Sequence, residues 1–311
     1  MSPNSPTQRT DVVEPLDGVV GSRRFSPGLL QGKRVLITGG GTGLGRSMAR
    51  RFCSLGARVL IASRKEENLV ATCEAIRKEG GEAHWKVTDV KDPEQDRALV
   101  DEAYRVLGGL DIVVNNAAGN FMARTEQLSP NAFQSVVGTV LNGSFYVTQA
   151  AGRRWIEAHQ PGVVLSIVTT YAWTGAAHVI PSAVAKAGVL ALTRSLAVEW
   201  AKHGIRLNAI APGPIPTPGA WERLMPTASF EDEAASSIPL GRFGTHEELC
   251  DLATFLVSDT SSYITGQVVA LDGGEWLVGN TFQKLRYLDP AIWEAMEEER
   301  LRARSSRSPT A

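Results

Sequence analysis

The stretch RVLITGGGTGLG, residues 34–45, decides the fold. Its first five residues predict a buried strand, and the helical pattern from Arg46 to Ser54 follows the glycines directly. Glycine allows positive φ angles and close approach of a phosphate, which the unpaired N–H groups and positive end of the next helix attract. The stretch therefore predicts a pyrophosphate-binding turn of a dinucleotide-binding fold. Its candidate binding residues are Gly39, Gly40, Gly41, Thr42, Gly43, Leu44 and Gly45.

Outward from this turn, short β-branched segments alternate with longer helical patterns. Strands are predicted at Arg34 to Thr38, Arg58 to Ser63, Glu82 to Thr88, Leu110 to Asn115, Val163 to Val168, Ile205 to Ile210 and Gln267 to Leu271. Seven strands separated by helices predict an α/β fold, a Rossmann-type doubly wound parallel sheet in a single domain. We expect a mobile N-terminal arm at residues 1–31 and the domain at 32–275. Residues 276–311 form a C-terminal extension with a helix, Pro290 to Arg304, and a basic tail.

Composition excludes several classes of function. The chain of 311 residues has 32 basic and 33 acidic residues, a formal charge of −1, which gives no electrostatic case for nucleic acid binding. No apolar run reaches the roughly 18 residues of a membrane span. The N-terminal segment carries Asp11, Glu14 and Asp17 and has no apolar core, so neither a transit peptide nor a secretory signal is indicated. We expect a cytoplasmic protein.

The cysteines and histidines predict no metal site. Cys53, Cys73 and Cys250 lie far apart in the sequence and have no metal or redox spacing. The histidines at 84, 159, 178, 203 and 246 have no ligand spacing either. Only His178, beside the candidate site described below, deserves inspection as a functional residue.

The end of the second predicted strand selects between the two nicotinamide dinucleotides. An acidic residue there would bind the adenosine ribose hydroxyls and repel a 2′-phosphate, but the chain has Ser63-Arg64-Lys65. NADPH is therefore the expected cofactor, unless Arg64 and Lys65 are ordinary surface charges. Asp89-Val90, at the end of the third strand, places a carboxylate where it can face the adenine.

A lysine lies within an apolar segment that is predicted to be helical. Lys186 lies within Ala185-Lys186-Ala187-Gly188-Val189, and burying its charge alone would be costly. The position four before it holds Ser182, and the nearest upstream tyrosine is Tyr171. A serine hydroxyl has too high a pKa to replace a phenol as general acid. The plain alternatives stay open: Tyr171 as a packed loop aromatic and Ser182 as a helix N-cap.

Together these motifs resemble the short-chain dehydrogenase/reductase family over nearly the whole domain. The resemblance rests on the glycine loop, Asn115-Asn116-Ala117, Asn142, and Pro212-Gly213-x-x-x-Thr217, in that order. It implies that Lys186 holds the nicotinamide ribose. It also implies that the segment after the sixth strand holds the nicotinamide. The implied cofactor contacts outside the glycine loop are Ser63, Arg64, Asp89, Val90, Ala117, Lys186, Pro212, Gly213, Pro214, Ile215 and Thr217.

Most members of the family have Tyr-x-x-x-Lys, whereas this chain has Ser182-Ala183-Val184-Ala185-Lys186. The 2,4-dienoyl-CoA reductases share this departure, and the chain resembles them in residues 115–121, 170–172, 181–182 and 212–215. The resemblance implies NADPH-dependent reduction of 2,4-dienoyl-CoA to 3-enoyl-CoA in β-oxidation of unsaturated fatty acids. It also implies a homotetramer.

Bond geometry gives a reason for moving the tyrosine. In a ketone, the oxygen that gains charge is about 1.2 Å from the carbon that accepts hydride. In a 2,4-dienoyl thioester the hydride adds to C5, and charge collects on an oxygen roughly 6 Å away. We therefore expect Tyr171 and Asn120 to form the oxyanion site, with Lys186, Ser182 and Asn142 in support.

Two further groups of residues are expected to contact the substrate. An apolar lid is expected at about residues 214–240, where the segment Trp221 to Phe230 would cover the acyl group. A helix pair packed on the core would explain the same pattern. The resemblance assigns acyl-CoA contacts to Arg64, Lys91, Phe121, Ser129 and Arg223.

Two other functions stay open. One is reduction of another acyl thioester, an enoyl or 3-oxoacyl compound, which uses nearly all the same features. The other is a non-catalytic NADPH-binding protein, against which the retained Lys186 and Thr217 argue.

Overall fold

A computed structural model describes residues 25–218, 221, 227–279, 285 and 287–305. The strands are β1 (Arg34–Thr38), β2 (Arg58–Ser63), β3 (Glu82–Val87), β4 (Ile112–Asn115), β5 (Gly162–Ile167), β6 (Ile205–Pro212) and β7 (Val268–Leu271). The α-helices are α1 (Gly43–Ser54), α2 (Glu66–Lys78), α3 (Pro93–Leu107), α4 (Pro130–Val137), α5 (Gly143–Glu157), α6 (Tyr171–Thr174), α7 (Ile180–Glu199), α8 (Ala228–Ser237), α9 (His246–Val257) and α10 (Pro290–Ser305).

All seven predicted strands are confirmed and form one parallel sheet. Its order is β3-β2-β1-β4-β5-β6-β7. Strand ends differ from the prediction by up to two residues. The largest differences are β4, which begins at Ile112, and β6, which continues to Pro212 because Pro212 still pairs with Leu271. The predicted α/β doubly wound sheet is therefore the observed fold.

The core lies on both faces of the sheet because side chains alternate along each strand. Val35 and Ile37 pack with α1, α2 and α9 on one face, whereas Leu36 packs with α3, α5 and α7 on the other. On the first face the buried guanidinium of Arg51 on α1 bonds Asp251 on α9 at 2.5 Å. These contacts fix the helix that follows the glycine turn.

The chain ends differ in part from the expected domain limits. Residues 1–24 of the expected arm lie outside the described residues, but Leu30 is fully buried and its N–H bonds Leu55 O at 2.9 Å. The ordered unit therefore begins before residue 32, because Leu30 supplies core surface that the sequence pattern did not reveal. At the other end α10 is observed, with Glu298 and Arg302 paired at 2.9 Å.

The expected lid at 214–240 is only partly described. The described parts are residues 214–218, Trp221 and 227–240, which include α8, while Arg223, Leu224 and Met225 lie outside the described residues. The Trp221 ring packs edge-on against Phe243 with ring centroids 4.7 Å apart. Among the described helices, none combines the length and apolarity that crossing a bilayer requires.

Candidate active site

The glycine turn lies where the strand order changes direction. β1 has β2 on one side and β4 on the other, so the chain leaves β1 and β4 at the same edge of the sheet. In open parallel sheets this crevice is where ligands bind. The candidate site is built from the loops at this edge.

Close packing explains the glycines of this turn. Gly39 has φ +67°, and a Cβ there would lie 2.9 Å from both Asn116 Nδ2 and Ala117 Cα. A Cβ on Gly45 would meet Asn116 Nδ2 at 2.5 Å. That amide donates to Thr38 O at 3.0 Å and to Gly39 O at 3.1 Å, so β4 directly supports the turn. Asn116 thus supports the glycine turn. It belongs to the motif Asn115-Asn116-Ala117, but it was not predicted to be a site residue.

The start of α1 can accept an anion. Thr42 is the N-cap residue, and its side chain makes no capping hydrogen bond. Backbone N–H groups of the first turn therefore remain available to a phosphate oxygen. Gly43 has φ +52°, and a Cβ there would contact the Thr217 methyl group at 3.5 Å, so the loop after β6 borders this turn.

The end of β2 presents basic groups beside the glycine turn. Ser63 Oγ is 3.3 Å from the place where a Cβ on Gly41 would lie. Arg64 and Lys65 are exposed, and Arg64 makes no ion pair or hydrogen bond with the described residues. An exposed guanidinium at this place is available to a ribose phosphate.

The segment after β3 carries a carboxylate and a lysine that bind each other. Asp89 Oδ2 is 3.4 Å from Lys91 Nζ, and Asp89 Oδ1 accepts from Lys91 N at 3.2 Å. Val90 is buried against Gly143 at the start of α5. Lys91 was expected to face a substrate phosphate; in this structure its charge is already paired with Asp89.

Three polar side chains meet at the carboxyl end of β5. The Asn120 amide nitrogen donates to the Tyr171 hydroxyl at 3.2 Å, and that hydroxyl is 3.1 Å from Ser182 Oγ. Asn120 Oδ1 accepts from Phe121 N at 2.9 Å, which fixes the amide orientation. One amide hydrogen of Asn120 and the Tyr171 hydroxyl therefore remain able to donate to the same ligand oxygen.

Two local predictions for this cluster were wrong. Tyr171 was expected in a loop, but it begins the four-residue helix α6. The alternative of Ser182 as an N-cap also fails: Val179 is the N-cap of α7, and Ser182 lies buried in its first turn. The helix at Tyr171 forms because the Thr169 and Thr170 carbonyls accept hydrogen bonds from Ala172 N and Trp173 N, which strand-end patterns do not predict.

Lys186 lies one helical turn after Ser182 on α7. Its side chain is buried and its ammonium group donates a hydrogen bond to the Ile167 carbonyl at the end of β5. Burial lowers the pKa of Lys186 to about 8, because the charged form loses hydration. Ser182 and Lys186 are four residues apart and lie on the same face of α7.

Asn142 ends a π-helical turn. Residues Gly138–Asn142 form this turn between α4 and α5. A Cβ on Gly188 of α7 would lie 2.8 Å from Leu141, so the turn packs closely on the helix of Lys186. Asn142 is therefore the last residue of a turn that packs against α7.

The loop after β6 closes the other side of the crevice. Gly213 N bonds Leu271 O at 3.0 Å, and a Cβ on Gly213 would meet Asp272 Cβ at 2.8 Å. Ile215 is buried in the core, which anchors the loop between Pro214 and Thr217. Thr217 is thereby brought to the glycine turn.

The remaining candidate substrate residues are dispersed. Phe121 packs against the small core cluster that contains Val140 and Val168, close to Asn120. Ser129 is the N-cap of α4, where its hydroxyl accepts from Ala132 N at 3.2 Å. Arg223 lies outside the described residues.

Metal and thiol chemistry find no support in the part of the chain that is described. Its His, Cys, Asp and Glu residues form no group of three or more able to hold a metal ion. All three cysteines are buried thiols, and burial raises the pKa of both Cys53 and Cys250 to about 12. The residues that matter here are therefore the hydroxyl, amide and ammonium groups above.

The chain is similar to known proteins over most of its length. A family model described as enoyl-(acyl carrier protein) reductase matches residues 39–275. A "Probable 2,4-dienoyl-CoA reductase ((2E)-enoyl-CoA-producing)" from Bacillus subtilis is 46% identical over 249 residues, 80% of this chain and 98% of the relative. A "Probable 2,4-dienoyl-CoA reductase 3 ((3E)-enoyl-CoA-producing)" from Caenorhabditis elegans is 45% identical over 252 residues, 80% of this chain and 82% of the relative.

Among solved structures, a gluconate 5-dehydrogenase from Burkholderia cenocepacia in complex with NADP and tartrate is similar over most of this chain. It is 33% identical, has a TM-score of 0.75, and covers 80% of this chain and 97% of its own. The fold, the glycine turn with its neighbouring loops, and these similarities lead to one conclusion. The chain belongs to the short-chain dehydrogenase/reductase family, whose members use a nicotinamide cofactor.

Proposed function

We propose that this protein reduces 2,4-dienoyl-CoA to 3-enoyl-CoA with NADPH, a step in β-oxidation of unsaturated fatty acids. One observation carries the proposal: the Tyr171 hydroxyl is bonded to the Asn120 amide and lies beside Ser182, the residue four before Lys186. The reductase names of the two relatives support it. The reaction is an oxidoreduction of a carbon–carbon bond.

The cofactor is proposed from the shape and charge of the glycine turn. A bound NADPH would supply the hydride. The first turn of α1 would take the pyrophosphate, Arg64 the 2′-phosphate, and Asp89 with Val90 the adenine. Ala117 and the segment Pro212–Thr217 would hold the nicotinamide half. The NADP in the Burkholderia structure supports this choice.

The proposed chemistry assigns each polar side chain to one place on the substrate. Charge collects on the thioester oxygen, several bonds from C5, where hydride adds. Tyr171 and Asn120 donate hydrogen bonds to that oxygen, and Ser182 holds the Tyr171 hydroxyl by donating to it. Lys186 positions the nicotinamide ribose and adds positive potential, while Asn142 supports the π-helical turn beside α7.

The product depends on where the second hydrogen is added. A proton from water at C2 gives the 3-enoyl thioester, whereas a proton at C4 gives the 2-enoyl thioester. The two relatives are named for different products, (2E) in Bacillus and (3E) in Caenorhabditis. We propose the 3-enoyl product, since C2 is adjacent to the carbonyl carbon whose oxygen Tyr171 and Asn120 bind.

The rim of the crevice would bind the rest of the acyl-CoA. Phe121 and Ser129 would line the thioester end, and Lys91, Arg64 and Arg223 would face the CoA portion. Lys91 would have to exchange its Asp89 partner for a phosphate, so its contribution should depend on salt concentration.

Assembly and location are proposed from exposed apolar side chains and from the burial of the thiols. Exposed apolar side chains on α5 and α7, Phe145, Val184 and Val198, support burial between subunits of a homotetramer. The three free buried thiols support a reducing compartment, and we propose the cytoplasm.

Substrate profiling tests the proposed function. The purified protein with NADPH should consume a 2,4-dienoyl-CoA, seen as loss of both the dienoyl and the NADPH absorbance. Faster turnover of an enoyl or 3-oxoacyl thioester would favour the other reductase activity. NADPH binding without turnover of any acyl-CoA would indicate a non-catalytic protein.

A further inference from the structure

The His246 side chain bridges two segments that border the cofactor crevice. Its Nδ1 atom is 2.6 Å from Ser47 Oγ on α1, and its Nε2 atom is 2.8 Å from the Pro216 carbonyl oxygen. His246 itself is the first residue of α9, about 200 positions from Ser47 and 30 from Pro216. Three distant parts of the sequence therefore meet at one imidazole.

The chemistry of the partners defines the direction of these bonds. A carbonyl oxygen can only accept, so Nε2 carries a hydrogen and donates to Pro216. In the neutral ring Nδ1 then accepts from the Ser47 hydroxyl. In the protonated ring Nδ1 donates to Ser47 instead, and Ser47 donates onward to Gly43 O, 3.3 Å away. The bridge can form in both protonation states.

Neighbouring contacts show that this bridge is one part of a larger attachment, which we name the clasp and define as Phe243, Gly244 and His246. Gly244 N bonds Pro214 O at 3.1 Å, and Phe243 packs on Trp221, 4.7 Å between ring centroids. The loop from Pro214 to Thr217 is therefore held at both ends by the clasp. The His246 side chain extends that attachment to the first turns of α1, while Arg51 joins a later part of α1 to Asp251 farther along α9.

We infer that His246 is a positioning residue for the cofactor: it fixes the loop at 212–217 relative to the N-terminal turn of α1. The inference rests on the proposed cofactor site, in which α1 takes the pyrophosphate and the loop takes the nicotinamide. A dinucleotide contacts both places. A fixed separation between them reduces the conformational entropy that is lost when the dinucleotide binds. A ligand that occupies only the α1 side would not benefit.

Two ligands distinguish this role from a general effect on stability. NADPH spans both sides, whereas 2′-phospho-ADP-ribose has the pyrophosphate and the 2′-phosphate but no nicotinamide. In His246→Ala we expect the NADPH Kd to rise about tenfold and the 2′-phospho-ADP-ribose Kd to change less than about twofold. Calorimetric titration measures both without any acyl substrate. Ser47→Ala, which removes only the bond to α1, should give the same pattern with a smaller rise.

A matched control lies in the same helix start. The Thr245 hydroxyl accepts a hydrogen bond from Glu248 N at 3.2 Å in a capping box. Its hydrogen bonds go to Glu248, and neither Ser47 nor Pro216 is among its partners. Thr245→Ala should lower the melting temperature while leaving the ratio of the two Kd values unchanged. An equal rise for both ligands in His246→Ala and Ser47→Ala, or no rise in either variant, would overturn the inference and leave the dienoyl-CoA proposal intact. Failure of the unaltered protein to bind NADPH would overturn both.

Discussion

At the residue scale, the Tyr171 hydroxyl has neighbours that suit an oxyanion site. It lies between an amide nitrogen at 3.2 Å and a serine hydroxyl at 3.1 Å, and no carboxylate is among its hydrogen-bond partners in the described residues. Such neighbours can orient the O–H bond without taking its proton. The displaced tyrosine therefore keeps a donor available for a substrate oxygen.

Removing this hydroxyl tests its role. Tyr171→Phe keeps the ring and loses one donor to the developing charge, so kcat should fall about 10²- to 10³-fold. The NADPH Kd should change less than about twofold, because the hydrogen bonds that the hydroxyl makes go to Asn120 and Ser182 and not to the glycine turn. Tyr146→Phe, a matched change on α5, should leave kcat unaltered. Retained kcat in Tyr171→Phe would remove Tyr171 from the mechanism.

Lys186 predicts a pH dependence. Its pKa of about 8 means that the ammonium form, which adds positive potential at the site, is lost as pH rises through that value. The kcat/KM for NADPH, which reports groups of the free enzyme, should fall about tenfold per pH unit above pH 8. Lys186→Met should be slower and lack this inflection. The same inflection in Lys186→Met would assign it to another group.

Arg64 predicts the choice between the two cofactors. Arg64→Glu replaces a donor for the 2′-phosphate with a repelling charge, so the Kd for NADPH should rise about tenfold to a hundredfold while NADH binds better. Lys78→Glu makes the same charge change at the far end of α2 and serves as control. Unchanged preference in Arg64→Glu would mean that Arg64 is an ordinary surface charge.

At the scale of elements, the sequence predicted what depends on local periodicity. The bounds of β1 and β2 agree with the prediction because short β-branched runs there end at glycine or at charged residues. The π-helical turn at Gly138–Asn142 was missed, since it depends on packing of Leu141 against Gly188 on another helix. Likewise His246 showed no motif, because its two partners are distant in sequence.

Helix α3 contains a buried carboxyl group, Asp96, that should affect stability. Both carboxylate oxygens of Asp96 on α3 are buried without a hydrogen-bond partner, and burial, with Asp92 and Asp89 nearby, raises its pKa to about 8. The folded protein thus keeps a proton that the unfolded chain releases near pH 4. The protonated Asp96 carboxyl contributes its whole stabilisation below about pH 4. This stabilisation decreases as the pH rises towards the pKa of the folded state, about 8.

Asp96→Asn should therefore flatten the pH dependence of the free energy of unfolding. At pH 8 the variant should exceed the unaltered protein by about 1–3 kcal/mol, with a smaller difference at pH 5. Urea titrations at both pH values measure this. Asp101→Asn, a change at an exposed position of the same helix, should alter the free energy of unfolding by the same amount at both pH values. An Asp96→Asn curve parallel to that of the unaltered protein would show that Asp96 is ionised in the fold.

At the scale of the whole molecule, the parallel sheet brings every proposed functional loop to one edge. The glycine turn follows β1, Asn120 follows β4, Tyr171 follows β5 and Thr217 follows β6. The alternation of strands and helices predicted a parallel sheet, and with it the shared edge on which these residues lie. Their distances could not, because Asn120 and Tyr171 are 51 residues apart and their contact depends on how two loops pack.

The most direct test of the central claim locates the transferred hydrogen. NADPH carrying two deuterium atoms at C4 of the nicotinamide is incubated with the protein and a 2,4-dienoyl-CoA, and the product is analysed by NMR. A charge site at the thioester oxygen predicts deuterium at C5 and a hydrogen from solvent at C2. Deuterium at C3, or no transfer to the carbon chain, would contradict the account.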